Sequence, residues 1–132
     1  MRMCLTPSTC LMLILVVILM GACQAAPATA MAPTDPALQV QVDVALQDAA
    51  KRSGLPPAQL RLIDAEFVTW SDGAAGCPEP GMMYTQALVP GVRIRIQAGA
   101  KVLNYHGARR GGVAFCPAAR VSAPSAGGDP RI

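Results

Sequence analysis

The side chains that could carry out acid–base chemistry in this chain are two neighbouring carboxylates and a single histidine. Asp64 and Glu66 stand two residues apart in an alternating segment, so a strand would place both on one face, where paired carboxylates can act as acid and base. His106 is the only histidine, and no serine or cysteine nucleophile motif lies near it. A solvated strand face explains the carboxylates equally well, and His106 is expected to be partly exposed at a strand end. We therefore expect no catalytic residues, and a hydrolase built on these three side chains is the weakest alternative.

Cys77 and Cys116 are the remaining candidates for chemistry in the central part of the chain. The N-terminal segment described below indicates export, and a cysteine pair in an oxidising compartment is most simply a disulfide. Closing a loop of this length stabilises a domain by ~4 kcal/mol in the chain-entropy model. A metal or redox site is the alternative, but the sequence has no C-x-x-C motif, and a zinc site would have to recruit scattered carboxylates. We expect no metal and no cofactor.

A long segment rich in turn-forming residues, Val68 to Val92, joins two predicted strands. It contains Ser71-Asp72-Gly73 and Pro78-Glu79-Pro80-Gly81, which are typical turn sequences. Long ordered loops in small domains often form the binding surface. The structural alternative makes Trp70 a core aromatic residue and Asp72 a turn former. It makes Tyr84 and Gln86 strand residues. The candidate binding residues are Trp70, Asp72, Glu79, Tyr84 and Gln86.

The same segment contains four short blocks, Trp70-Ser71-Asp72-Gly73, Gly76-Cys77-Pro78-Glu79-Pro80-Gly81, Tyr84-Thr85-Gln86-Ala87 and Pro90-Gly91. Together they resemble the signature of a family of small secreted or lipid-anchored bacterial domains. The resemblance covers about residues 37 to 116 and implies a family without an assigned activity. Ala74-Ala75 stands where Ser-Leu is more usual. More loosely, a helix followed by strands is similar to PepSY-type domains, which are associated with propeptides and peptidase inhibition.

An amphipathic helix is predicted at the start of the folded part. Asp35 is placed to cap it, Pro36 suits its first position, and Gly54 ends it. Its apolar face recurs at helical spacing. The residues of that face are Leu38, Val42, Ala45, Leu46 and Ala49.

After Pro56-Pro57 the apolar period changes to two, which predicts strands. The first has Ile63, Ala65 and Phe67 on one face. Further strands are expected over Tyr84 to Val89, ended by Pro90-Gly91, over Val92 to Gln97, and over Lys101 to His106 after a hairpin at Gly99. The sequence therefore predicts an α+β domain, with one N-terminal helix packed on an antiparallel sheet of about four strands and one disulfide.

The N-terminal segment predicts export and lipid anchoring. Its apolar run, Leu11 to Met20, would rise only ~15 Å as a helix, which suits a signal peptide better than a membrane span. Leu19-Met20-Gly21-Ala22-Cys23 resembles the lipobox of bacterial lipoproteins, which implies that Cys23 is acylated and anchors the protein in a membrane. Gln24 rather than aspartate then implies sorting to the outer membrane, facing the periplasm. The alternative is ordinary signal cleavage within Ala25 to Ala30.

These observations divide the chain into a signal peptide (residues 1–22), an Ala/Pro-rich tether (23–34), a small α+β domain (35–117) and a tail expected to be disordered (118–132). The charge balance of 11 Lys and Arg against 8 Asp and Glu is too even to suggest a nucleic-acid partner.

Non-enzymatic binding is the leading functional hypothesis. The domain would be a periplasmic interaction module that meets an envelope protein or a peptidase through the loop from Trp70 to Tyr84. The alternative is a peptidase inhibitor, in which Pro78 and Pro80 stiffen the loop around Glu79.

Overall fold

The computed structural model describes residues 35–126, which contain one α-helix and one four-stranded antiparallel sheet. Helix α1 spans Pro36–Ser53. The Asp35 carboxylate accepts hydrogen bonds from the backbone N–H groups of Ala37 and Leu38, and Gly54 ends the helix in the left-handed conformation at φ 70°. The predicted helix and both of its caps are confirmed.

The strands follow in chain order and lie in the same order in the sheet. They are β1 (Leu60–Trp70), β2 (Val89–Ala98), β3 (Lys101–Ala108) and β4 (Val113–Cys116), with short 3₁₀ helices at Pro57–Gln59 and Ala118–Arg120. Each strand pairs antiparallel with the next, so β1 and β4 form the two edges. The α+β architecture predicted from the sequence is confirmed.

The main core lies between α1 and one face of this sheet. Alternation along the strands sends one set of side chains toward the helix, and the core is completed by residues that the helical period predicted. The fully buried members of this layer are Val42, Ala45, Ala49, Val92, Ile94, Ile96 and Tyr105.

Two details of β1 and β2 correct the predicted strands. The register shifts between Leu62 and Asp64, which leaves Ile63 in a bulge and 38% exposed rather than on the core face. Tyr84 to Val89 is not a strand ended by Pro90-Gly91, because β2 begins at Val89 and continues through that dipeptide. Proline is tolerated there because it stands next to the start of the strand.

Strand β4 is the fourth strand of the sheet and was not predicted. It has four residues, too few to show an alternating pattern, and it pairs with β3 from Asn104↔Cys116 to Gly107↔Val113. The count of about four strands is therefore right, although one of the four lies elsewhere in the chain.

The segment after β4 was expected to be disordered, yet residues 118–126 make specific backbone contacts. The N–H of Ser122 donates to the carbonyl of Gly76 at 2.8 Å, and that of Ser125 donates to the carbonyl of Thr69 at 2.8 Å. The predicted signal peptide, Cys23, the tether and residues 127–132 lie outside the described residues. Within residues 35–126, none of the helices combines the length and the apolar character that crossing a bilayer requires.

Candidate binding loop

The loop between β1 and β2, residues 71–88, is held closed at its base. Trp70 and Val89 are partners in the sheet register. Beyond this pair, inside the loop, the N–H of Gly73 donates to the carbonyl of Thr85 at 2.9 Å. The backbone between these two residues therefore leaves the sheet and returns to it as a closed loop. This pairing replaces the predicted strand at Tyr84.

A disulfide links this loop to β4, at the far edge of the sheet, and a backbone hydrogen bond links it to the segment after β4. Cys77 is bonded to Cys116 at the end of β4, with the two Cα atoms 5.7 Å apart, so the predicted disulfide is present. The residue before it, Gly76, accepts the hydrogen bond from Ser122. The loop and residues 117–126 thus cover part of the sheet face opposite α1.

Trp70 fills the space beneath this cover and is fully buried. Its Nε1–H donates to the carbonyl of Gly107 at 3.2 Å, and its ring lies 4.7 Å from that of His106. A Cβ added at Gly76 or Gly91 would stand within 2.2 Å of the indole, so both glycines make room for it. Trp70 is therefore a core residue, which is the structural role that the sequence offered as the alternative to binding. Its buried ring cannot contact a binding partner.

The other four candidate residues form hydrogen bonds or an ion pair within the loop or beside it. The Asp72 carboxylate accepts from the N–H of Ala74 at 2.9 Å, as a turn former does, and Tyr84 Oη accepts from the N–H of Glu79 at 2.9 Å. The Glu79 carboxylate lies 3.2 Å from Arg120 in an ion pair, and the exposed Gln86 donates to the carbonyl of Tyr84 at 3.2 Å. Asp72 and Tyr84 stabilise the loop, whereas Glu79 and Gln86 remain open to contact.

Two exposed apolar side chains at the tip of the loop were not among the predicted site residues. Glu79 to Met82 forms a turn in which the N–H of Met82 donates to the carbonyl of Glu79 at 3.2 Å and Gly81 takes φ 78°. Directly after it, Met82 is 60% exposed and Met83 is 96% exposed. We call residues 80–83 the loop tip. A Met-Met pair directly behind a Pro-Gly turn was the available sequence signal.

His106, the single histidine of the sequence, lies beneath the loop. His106 is only 4% exposed, so the prediction of a partly exposed residue is wrong. Burial, with a contribution from the nearby positive charge of Arg93, lowers the pKa of His106, and its Nδ1 lies 3.1 Å from the carbonyl of Gly76. The neutral ring is held between Trp70 and the loop.

Asp64 and Glu66 are on the uncovered part of the same sheet face. Arg95 forms a salt bridge with Asp64 and Arg93 forms one with Glu66, each across to β2. Arg93 also pairs with His106 in the sheet register, so the strand position of Arg93 lies between those of Glu66 and the histidine. The arrangement is that of a charged sheet surface. In residues 35–126, no three His, Cys, Asp or Glu side chains are grouped in a way that could hold a metal ion.

A family model described as a domain of unknown function, DUF8738, matches residues 42–116. The match runs from within α1 to the last residue of β4, and so includes the loop and the disulfide. No curated protein and no solved structure matches the chain.

Proposed function

Since this chain belongs to the DUF8738 family of domains of unknown function, we propose from its own geometry that it is a non-enzymatic interaction module. It docks on a protein of the cell envelope through the tip of the loop between β1 and β2. The observation that carries the proposal is the exposure of Met82 and Met83 on a loop with a fixed backbone. The Cys77–Cys116 disulfide and the backbone hydrogen bonds of Gly73 and Gly76 hold this backbone in place.

Rigid presentation supports this proposal energetically. A loop held by the disulfide, by Gly73–Thr85 pairing and by Tyr84 loses little further backbone entropy when a partner arrives. Methionine side chains adapt their shape to an apolar pocket, and burying one fully contributes about 1.5–3 kcal/mol. Glu79 and Gln86 would add polar contacts beside the tip.

The absence of turnover is part of the proposal. The salt bridges of Asp64 and Glu66 and the burial of His106 leave the three candidate groups without a shared cleft. We expect a screen against ester, peptide and glycoside substrates to show no hydrolysis, and turnover lost on Asp64→Asn, Glu66→Gln or His106→Ala would contradict this.

The proposed location is the periplasmic side of the outer membrane. A lipid on Cys23 and a tether over residues 24–34 would hold the domain near the membrane while leaving the loop free to meet a partner.

Inhibition of a peptidase is the second candidate, and the projection of Met83 from a disulfide-fastened loop favours it. A side chain that is 96% exposed on a fixed backbone can enter a specificity pocket with little backbone ordering, so that mainly its own rotamers must be fixed. Titration of envelope peptidases with the purified domain separates the two: stoichiometric inhibition assigns the inhibitor role, and binding without inhibition assigns the docking role.

Capture of partners from the native envelope tests the docking surface. We expect the wild-type protein to retain a specific partner, Met83→Glu to lose most of it, and Glu79→Ala to weaken it. Val40→Glu is the matched control, because Val40 is 64% exposed on α1, away from the loop. Equal loss in the control, or full retention by Met83→Glu, would contradict the proposal.

A further inference from the structure

Met82 and Met83 differ from every other readily oxidised side chain of residues 35–126 in being freely accessible. The two cysteines of this part are joined in the disulfide, Trp70 is fully buried and Tyr105 is 1% exposed. Tyr84 is half-buried and its oxygen already accepts a hydrogen bond. Oxidation follows exposure and sulfur nucleophilicity, so an oxidant that reaches this domain meets the two thioethers first.

We propose that Met82 and Met83 form an oxidation site, at which hypochlorous acid or hydrogen peroxide converts the thioethers to sulfoxides and makes the loop tip polar. In each step one oxygen atom is transferred to a sulfur lone pair. The new S–O bond replaces the O–Cl or O–O bond, the sulfur loses two electrons, and chloride with a proton, or water, leaves.

The loop is built so that this modification changes its surface and not its fold. Its shape depends on backbone hydrogen bonds at Gly73 and Gly76, on Tyr84 and on the Cys77–Cys116 disulfide. The thioether of Met83 is almost wholly in solvent, so a sulfoxide there displaces no packed neighbour. The polar S=O group would instead disfavour burial of the tip in an apolar pocket. This last consequence for a partner rests on the proposed function above.

Peptide mapping of the full, processed protein tests the site directly. The protein is treated with one to two equivalents of hypochlorous acid, then reduced and cleaved with trypsin. Cleavage after Arg61 and Arg93 places Met82 and Met83 in one peptide, separate from the other methionines of the chain. We expect this peptide to gain about 16 Da per sulfoxide, with Met83 modified before Met82.

Two further measurements distinguish a reversible change in the surface of the loop tip from damage to the fold. The thermal midpoint should stay within about 1 °C, and retention on a phenyl resin should fall and recover after treatment with both classes of methionine sulfoxide reductase. Met82→Leu/Met83→Leu should show no oxidant-dependent change in retention. An unmodified peptide while added free methionine is consumed, or a lowered thermal midpoint after oxidation, would overturn the proposal.

Capture of envelope partners by oxidised and reduced protein then tests the link to docking. Loss of capture on oxidation supports this link. Undiminished capture by the doubly oxidised protein overturns the proposed effect of oxidation on docking. Failure of any capture by reduced protein counts against the proposed function alone, since the mapping result does not depend on a partner.

Discussion

At the scale of single residues, Trp70 is the point where the loop, the sheet and the C-terminal segment meet. The indole occupies space that a side chain at Gly76 or Gly91 would need, and its N–H is bonded to Gly107. The tryptophan and these two glycines belong to the signature quoted from the sequence. Packing therefore explains the spacing of these three residues, and a binding role for Trp70 is not needed to account for it. The proposed binding role of the loop tip does not depend on Trp70.

The first prediction concerns Gly91. In Gly91→Ala the new methyl group would stand 2.1 Å from Nε1 of Trp70 and 2.5 Å from the carbonyl oxygen of Gly107, so either the indole or the strand must move. We expect a loss of roughly 1–3 kcal/mol in the free energy of unfolding, measured by urea titration. Gly112→Ala is the control, because nothing lies within 4 Å of a Cβ at Gly112. Equal stability of the two variants would contradict the packing model.

The second prediction concerns pH. Burial holds the folded-state pKa of His106 below its ordinary value of about 6.5, so protonation favours the unfolded chain. Stability is complete above that pH and falls as the pH drops through it, by up to about 1.4 kcal/mol per pH unit until the folded-state pKa is reached.

Urea titrations between about pH 7.5 and 5 check this dependence. His106→Gln should be nearly flat over the same range, because Asp48, whose pKa is also lowered, begins to lose its contribution only below its ordinary value of about 3.8. A wild-type protein that is equally stable at both ends of the range would show that His106 is not held neutral.

At the scale of elements, the loop and β4 depend on each other. Strand β4 has only four residues and forms one edge of the sheet, and the disulfide joins its last residue to the loop. The ion pair between Glu79 of the loop and Arg120 adds little by comparison, since the Glu79 side chain is 61% exposed and solvent screens the pair. The covalent link is therefore the main device that keeps the loop seated over Trp70.

The third prediction follows from this link. In the Cys77→Ala/Cys116→Ala variant we expect the thermal midpoint to fall, with ~4 kcal/mol lost for a ring of 39 residue separations. Circular dichroism should still show the helix and sheet, because α1 packs on the opposite face. Mass spectrometry of the unreduced wild-type protein should find the pair oxidised. Two free thiols in periplasmic protein would refute the assignment.

At the scale of the whole molecule, the domain presents two unlike sheet faces. One is covered by α1 and forms the main core. The other is covered in part by the loop and residues 117–126, and the rest of it is a charged surface of paired arginines and carboxylates. The loop tip adds two exposed apolar side chains, Met82 and Met83, on a backbone held by the disulfide and by hydrogen bonds.

The fourth prediction concerns the anchor. Cys23→Ser should abolish incorporation of a labelled fatty acid and leave the protein unprocessed or soluble, because the lipoprotein pathway acylates the thiol of that cysteine. Metabolic labelling followed by membrane fractionation measures this. Cys10→Ser, within the predicted signal peptide, is the control and should be labelled like the wild type. A wild-type protein that takes up no label rules out the anchor.

Local patterns in the sequence were sufficient for α1, its two caps, the α+β class and the disulfide. Helix caps and the apolar period act within a few residues, and the two central cysteines had only each other as partners once export was assumed. Tertiary structure alone decided that residues 84–88 lie outside the sheet, that Val113–Cys116 enters it, and that His106 is buried. Those outcomes depend on contacts between distant segments: Gly73 with Thr85, β4 with β3, and Gly76 with both Trp70 and His106. Since no local pattern reports which distant backbone groups will meet, the exposure of the loop tip also became visible only in the folded molecule.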